Sequence, residues 1–174
     1  ASLGAQVHLI SGPSNEISDD ENIILQRIIS ADDMYNECLK IFPKVDICIM
    51  SAAVSDFKPL KFFKNKIKKG TSKLNKIELV ENKDIIKSLS SIKRKSQRII
   101  GFALENDNEL ANAKQKLKNK KLDAIVLNSL NDTGAGFNTD TNKISFITSD
   151  SIKDFALKNK TNVAEDILLE IFNL

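Results

Sequence analysis

Short apolar runs alternate with amphipathic segments along most of this chain, and that alternation constrains the fold more than any other feature of the sequence. Strand-like runs occupy residues 7–10, 23–29, 45–50, 77–80, 98–104 and 124–127. Apolar side chains at helical spacing predict helices over residues 31–42, 83–93 and 107–121. This order favours a doubly wound, mostly parallel, Rossmann-like α/β sheet with helices on both faces and ligands beyond the carboxyl ends of the strands.

The last part of the chain departs from the alternation. Residues 144–148 and 152–157 are separated by a short polar turn, which predicts an antiparallel hairpin, and residues 163–172 have the spacing of a closing helix. No linker and no internal repeat divides the sequence. We therefore expect residues 1–174 to form one domain.

Local signals refine three of these elements. Ser30 and Asp33 resemble a capping box at the start of the first helix, and Asn82 is a candidate cap for the second. Residues 45–50 are apolar almost throughout, which predicts a strand buried on both faces.

Charge and the supply of metal-binding residues exclude several classes of protein. Twenty-six basic residues against 23 acidic ones leave a net charge of +3, too small an excess to indicate a nucleic-acid partner. Two cysteines and one histidine are too few for a zinc or iron–sulfur cluster, so we expect no metal held by side chains. No run is long and apolar enough for a membrane span or a signal peptide, which predicts a cytoplasmic protein.

A lysine-rich segment, residues 58–76, carries positive charge with no acidic residue to balance it. We call this segment the flap; its lysines are Lys58, Lys61, Lys64, Lys66, Lys68, Lys69, Lys73 and Lys76. Such a segment after the end of a strand predicts a mobile cover over the phosphates of a nucleotide. The alternative is an ordinary solvated loop in a lysine-rich protein.

Other candidate ligand-binding residues lie at predicted strand ends or on helices. Asp56 follows the small residues 51–53, where a carboxylate can accept a hydrogen bond from a ribose, or can cap a turn. Gly101 permits close approach of a ligand and Phe102 can stack on a base, although a core phenylalanine is the commoner case. Lys116 and Lys120 are four residues apart and therefore on one helix face. They can bind the same polyanion, or they can be surface lysines that favour solubility.

Several of these runs together resemble one enzyme family. They include Ala52-Ala53-Val54-Ser55-Asp56-Phe57, Lys66-Ile67-Lys68-Lys69 ten residues after Asp56, Asn82-Lys83-Asp84-Ile85, Gly101-Phe102-Ala103-Leu104-Glu105 and Gly136-Phe137-Asn138-Thr139-Asp140. In this order the chain is similar to the phosphopantothenoylcysteine synthetase family, the C-terminal half of the bifunctional flavoprotein of coenzyme A biosynthesis. The resemblance covers essentially the whole chain.

The resemblance implies a ligase that joins 4′-phosphopantothenate to cysteine. CTP, or ATP in some relatives, is the co-substrate together with Mg²⁺. The carboxylate attacks the α-phosphorus, pyrophosphate leaves, and the amine of cysteine displaces CMP from the acyl-cytidylate. The resemblance further implies a homodimer and a flavin-dependent decarboxylase domain upstream.

The same resemblance assigns roles to individual residues. Lys66 is the catalytic flap lysine on the phosphates. The nucleotide-binding set is Met50, Ser51, Ala52, Asp56, Lys66, Lys83, Asp84, Ile85, Ile86, Phe102, Lys116 and Lys120. Residues 136–140 are expected in a loop at the site or at the subunit interface.

Two departures from the family pattern limit what the chain alone can do. Lys83 stands where the family has proline. A first strand, a helix and an Asn-x-Ser-Ser-Gly-Lys loop are expected upstream of Ala1, so the chain alone is expected to be inactive. The competing hypotheses are a non-catalytic nucleotide-binding fragment or subunit and a polyanion- or RNA-binding domain that uses the flap. The sequence has no glycine fingerprint of the kind that binds NAD, so NAD-dependent oxidoreduction is not favoured.

Overall fold

The structure is a computed structural model that describes residues 1–15, 18–63, 65–67, 76–105, 107–129 and 139–174. The chain divides into two compact units. The first comprises Ala1–Ile41 and Ala53–Ile85, and the second comprises Phe42–Ala52 and Ile86–Leu174.

The first unit begins with two parallel strands and a helix. β1 (Val7–Ser11) pairs with β2 (Ile23–Arg27), and α1 (Ala31–Ile41) packs against β1. The predicted strands and helix are confirmed, and β2 ends two residues earlier than expected.

The predicted capping box at the start of α1 is also confirmed. Ser30 Oγ accepts a hydrogen bond from Asp33 N at 3.1 Å, and Asp33 Oδ2 accepts one from Ser30 N at 3.0 Å. These reciprocal bonds satisfy backbone donors that a helix start leaves unpaired. The hydrogen bonds from the Ser30 side chain and backbone hold the pKa of the Asp33 carboxyl below its usual value.

A small antiparallel pair completes the first unit. β4 (Phe57–Pro59) pairs with β5 (Leu79–Glu81), with Phe57 opposite Glu81. The strand predicted over residues 77–80 is confirmed as β5, shifted by a residue or two. β4 is not predictable from the sequence, because three residues that end in proline show no strand periodicity. The start of the flap is therefore a strand.

A mixed five-stranded sheet forms the second unit. Its strands are β3 (Ile47–Met50), β6 (Arg98–Glu105), β7 (Ala124–Ser129), β8 (Thr141–Ile147) and β9 (Ile152–Asn159), in the order β3-β6-β7-β8-β9. The first three are parallel, whereas β8 and β9 are antiparallel to their neighbours. The α/β class and the C-terminal hairpin are confirmed.

Helices cover both faces of this sheet, because alternate residues of each strand point to opposite faces. Ile100, Val126 and Phe146 share one apolar cluster with α4 (Lys160–Phe172). Ile125 and Ile147 share another with α3 (Glu109–Asn119). The residues predicted to face inward on the closing helix, Val163, Ile167, Leu168 and Ile171, all pack in the first cluster.

Two predicted details differ from the structure. β3 is only half-buried, and Ile49 is 42% exposed, because within the described residues β3 pairs with β6 alone at the edge of the sheet. α2 spans Ile85–Ser91, shorter than the predicted helix over residues 83–93. α2 begins after Asn82, whose side-chain amide donates to the Ser55 carbonyl and does not cap the helix.

Candidate functional site

In the first unit, the β4–β5 pair brings the segment around Asp56 next to the segment around Asn82. Asn82 N donates to the Asp56 carbonyl at 2.7 Å, and Asn82 Nδ2 donates to the Ser55 carbonyl at 2.8 Å. Two sequence-predicted runs, 52–57 and 82–85, are thereby joined by their backbones. The Asp56 side chain is exposed and accessible to a ligand.

Asn82 does not cap α2 as its residue type predicts. Its side-chain amide instead donates to the backbone of the segment before β4. Asn82 Oδ1 is buried and has no hydrogen-bond partner among the described residues. A buried amide oxygen without a partner is energetically costly.

The next residues of this run have different environments. The Lys83 ammonium lies 4.5 Å from the centroid of the Tyr35 ring, a cation–π contact that orients it. Asp84 is exposed. Ile85 is 5% exposed, so its side chain is not available to a ligand.

The flap is described at both ends. Lys58 on β4 forms an ion pair with Asp32 at the start of α1, which attaches the flap to that helix. Lys66 is exposed and lies between Asn65 and Ile67, which line a cavity of about 660 Å³. The lysines at 64, 68, 69 and 73 lie outside the described residues.

In the second unit, four of the predicted nucleotide-binding residues lie at or just after the carboxyl end of β3 or on β6. Met50, half-buried, is opposite Gly101 in the parallel register, and Ser51 and Ala52 are exposed beyond it. Phe102 is half-buried and packs on the core cluster that includes Ile100. It follows that one part of the Phe102 ring serves the core and the rest is available to a ligand.

Gly101 has a packing explanation. A Cβ atom at this position would lie 2.7 Å from Leu122 Cδ1 and 4.0 Å from Ile86 Cδ1. The space over Gly101 is thus occupied by Leu122, so the glycine permits close packing of the chain rather than close approach of a ligand. Ile86, half-buried, takes part in the same packing.

The two helix lysines differ in their contacts. Lys116 Nζ donates to Glu105 Oε1 at 2.5 Å, an ion pair between α3 and the end of β6. Lys120 is half-buried at the end of α3, where its carbonyl accepts a hydrogen bond from Ser90 Oγ at 2.6 Å. Of residues 136–140, only Thr139 and Asp140 are described; the rest of that predicted loop lies outside the described residues.

Cysteine chemistry is not favoured at Cys38. This thiol is buried on α1, and burial, with a smaller effect of Glu37, raises its pKa to about 11. A thiolate is the reactive form of cysteine, so Cys38 stays protonated at neutral pH. Cys48 is half-buried, and neither cysteine forms a disulfide with a described residue.

Within the described parts of the chain, the structure gives no ready-made metal cage. No group of three or more histidine, cysteine, aspartate or glutamate side chains lies close enough together to hold a metal ion. No helix in those parts is both long and apolar enough to cross a bilayer.

Comparison with known proteins identifies the family. The model of the "DNA/pantothenate metabolism flavoprotein C-terminal domain" matches residues 1–174. The chain belongs to this family. Its fold also matches the crystal structure of the C-terminal domain of the coenzyme A biosynthesis bifunctional protein CoaBC, with a TM-score of 0.79 and 31% identity over 98% of this chain and 74% of that one.

Two curated relatives illustrate what the family contains. The coenzyme A biosynthesis bifunctional protein CoaBC of Borreliella burgdorferi is 45% identical over 95% of this chain and 42% of its own length. A protein named cysteine/cysteine sulfinic acid decarboxylase, from an unknown prokaryotic organism, is 43% identical over 100% of this chain and 48% of its own length. The chain thus spans about half the length of the curated relatives it matches.

Proposed function

We propose that this chain is a phosphopantothenoylcysteine synthetase domain, a ligase of coenzyme A biosynthesis that joins 4′-phosphopantothenate to cysteine at the expense of CTP. The observation that carries the proposal is the family match over residues 1–174. The similarity to CoaBC proteins and the accessible Asp56, Lys66 and Lys116 side chains support it.

The first proposed step activates the carboxylate of phosphopantothenate. A carboxylate oxygen attacks the α-phosphorus of CTP, the bond from that phosphorus to the bridging oxygen breaks, and pyrophosphate leaves. Because both reactants are anions, the step needs cations that shield the attack and stabilise the leaving group. We assign this task to Lys66 on the flap and to Lys116 and Lys120 on α3.

The second proposed step forms the amide. The neutral amine of cysteine attacks the acyl carbon of the acyl-cytidylate, the bond to the phosphate oxygen breaks, and CMP leaves while the nitrogen releases a proton to solvent. The chain's contribution here is positioning, because a mixed anhydride is already activated toward an amine.

The remaining assigned residues bind the nucleotide's base and ribose. Asp56 is proposed to accept hydrogen bonds from the ribose hydroxyls, which suits its exposed side chain after a run of small residues. The segments 50–52 and 83–86 contribute mainly backbone groups, and the exposed part of Phe102 offers a surface for the base. ATP in place of CTP is the alternative co-substrate.

Mg²⁺ is proposed to enter with the triphosphate. The described residues supply no cluster of carboxylates to hold it, and Mg²⁺ in nucleotide enzymes is commonly held largely by phosphate oxygens and water. When bound, it neutralises phosphate charge. The positive charge that this chain itself supplies to the first step comes from Lys66, Lys116 and Lys120.

We propose a cytoplasmic homodimer with a flavin-dependent decarboxylase domain upstream. The support is that the Borreliella burgdorferi relative is named bifunctional and that the chain covers 42% of it.

The test is pyrophosphate release with 4′-phosphopantothenate, Mg²⁺ and either CTP or ATP, with and without cysteine. It is run on the 174-residue chain and on the intact gene product that carries it. We expect release from the intact product, with CTP preferred. CTP binding without release would favour the non-catalytic alternative, and salt-sensitive RNA binding without CTP binding would favour the polyanion alternative.

Lys66→Gln tests the flap lysine within that assay. Removing one cation aimed at the leaving group should lower kcat by about a hundredfold while the unfolding midpoint stays unchanged. Lys44→Gln, an exposed lysine outside the flap, is the matched control and should keep full activity. Equal rates for Lys66→Gln and the wild type would remove Lys66 from the mechanism.

A further inference from the structure

Glu105 is a carboxylate with two partners from a single helix face. It ends β6, its side chain is 13% exposed, and it accepts from Lys116 Nζ at 2.5 Å on Oε1. Asn112 Nδ2, one turn earlier on α3, donates to Glu105 Oε2 at 3.3 Å and to the Asp107 carbonyl at 2.9 Å. The three side chains link the strand end, the turn after it and the helix.

This arrangement fixes the position of a flexible side chain. A lysine has about 2 kcal/mol of rotamer entropy to lose when it is held in one place. The Lys116 side chain is 47% exposed, so without a partner its ammonium group would sample a wide volume of solvent. Glu105 restrains it beside the carboxyl end of β6, the edge at which ligands of such sheets bind.

The ion pair leaves Lys116 able to bind a second anion. An ammonium group has three donors, and Glu105 Oε1 takes one of them. A phosphate oxygen can accept from another without breaking the pair. Glu105, in contrast, uses one oxygen on Lys116 and the other on Asn112, so its carboxylate is anchored on both sides.

We propose that Glu105 is a positioning residue that holds the Lys116 ammonium in place for the nucleotide's triphosphate. The inference rests on the proposed function, since Lys116 is its phosphate-binding residue. Glu105 itself does not touch the nucleotide.

The direction in which Glu105→Gln changes CTP binding distinguishes a positioning role from simple repulsion between the Glu105 carboxylate and the phosphates. By Coulomb's law alone, removing a carboxylate near a phosphate site strengthens phosphate binding. Loss of positioning weakens it. Glu105→Gln keeps the shape and the acceptor oxygen but removes the charge that holds Lys116.

The test is a double-mutant cycle in the intact gene product, with Glu105→Gln, Lys116→Met and the combined variant. The dissociation constant for CTP is measured by calorimetry, beside KM and kcat. We expect Glu105→Gln to raise the dissociation constant and KM for CTP about tenfold, within the range of coupling between contacting residues, and to lower kcat as well, because Lys116 also stabilises the leaving group. The combined variant should bind CTP no more weakly than Lys116→Met alone.

A matched control addresses the structural alternative. Glu170 on α4 is also largely buried, with its side chain 18% exposed, and it forms an ion pair with Lys153 on β9. Glu170→Gln should leave CTP binding unchanged. Unfolding midpoints of both glutamine variants show whether the fold is retained.

The outcomes distinguish the inference from the function on which it rests. Unchanged or tighter CTP binding in Glu105→Gln overturns the positioning role, as does an equal further loss in the Lys116→Met background. Unchanged CTP binding in Lys116→Met overturns it too, because there is then nothing to position. The proposed function fails separately, if the wild-type intact product releases no pyrophosphate.

Discussion

Gln97 shows how one buried polar side chain can fix two segments of backbone. It is 1% exposed, and its Nε2 donates to the carbonyls of Phe42 and Val45, at 2.7 Å each. Its Oε1 accepts from Arg94 N at 3.0 Å. The amide thus joins the 3-10 helix Phe42–Lys44 before β3 to the turn before β6.

Gln97→Ala should therefore lower the free energy of unfolding by about 2 kcal/mol, because buried backbone groups lose their partners and water cannot replace them. Urea denaturation measures the change. Gln115→Ala, at an exposed position of α3, makes the same change in side chain and should cost no more than about 0.5 kcal/mol. Equal losses in the two variants would mean that the Gln97 hydrogen bonds add nothing.

The role of a single residue could be predicted from the sequence only where that role depends on the residue type alone and not on a contact with a residue distant in the sequence. Lysine spacing placed Lys116 and Lys120 on one helix face, but nothing in the sequence pairs Lys116 with Glu105 eleven positions earlier. Asn82 was interpreted as a cap because asparagine favours that position, whereas β4 brings the Ser55 carbonyl to it instead. Such pairings depend on tertiary contacts.

Among the helices, α1 begins at the capping box that Ser30 and Asp33 form. Ser30→Ala removes the Oγ that accepts from Asp33 N and should cost about 1 kcal/mol of stability. Ser30→Thr, which keeps a capping hydroxyl, should restore most of the loss in the same denaturation experiment. If Ser30→Thr is as unstable as Ser30→Ala, then capping is not the reason for the effect.

Acid should weaken the same cap. The hydrogen bonds from Ser30 lower the pKa of Asp33 in the folded protein, so the contribution of this carboxylate is complete above its unfolded pKa of about 3.8. It is lost as the pH falls from there through the lower folded value. In Asp33→Asn this part of the pH dependence should disappear from urea denaturation curves recorded between neutral and acidic pH.

Helices and strands could be predicted where the apolar periodicity is strong, and could not be predicted where the segment is too short to show a period. β6, β7 and the β8–β9 hairpin were predicted within a few residues, because long apolar runs bounded by polar turns have one interpretation. β4 was missed because three residues are too few to show a period. The apolar run that becomes β3 predicted burial on both faces, but a strand at a sheet edge is covered less completely than its composition indicates.

At the scale of the whole molecule, the fold class followed from strand–helix alternation and the family from the combined motifs. The division into two units could not be predicted from the sequence, because no change of composition marks its boundaries at residues 41–42, 52–53 and 85–86. Asp56 and Lys66 lie in the first unit, and Lys116 and Glu105 lie in the second.

The proposed reaction requires that the carboxylate of 4′-phosphopantothenate is activated on the α-phosphorus of a nucleotide. We would label that carboxylate with heavy oxygen, run the reaction to completion with the intact gene product, CTP and cysteine, and analyse the products by mass spectrometry. We expect one labelled oxygen in CMP and none in pyrophosphate, because the bond from the acyl carbon to that oxygen breaks in the second step. Label in orthophosphate, together with release of CDP, would instead show attack at the terminal phosphate and rule out the proposed activation.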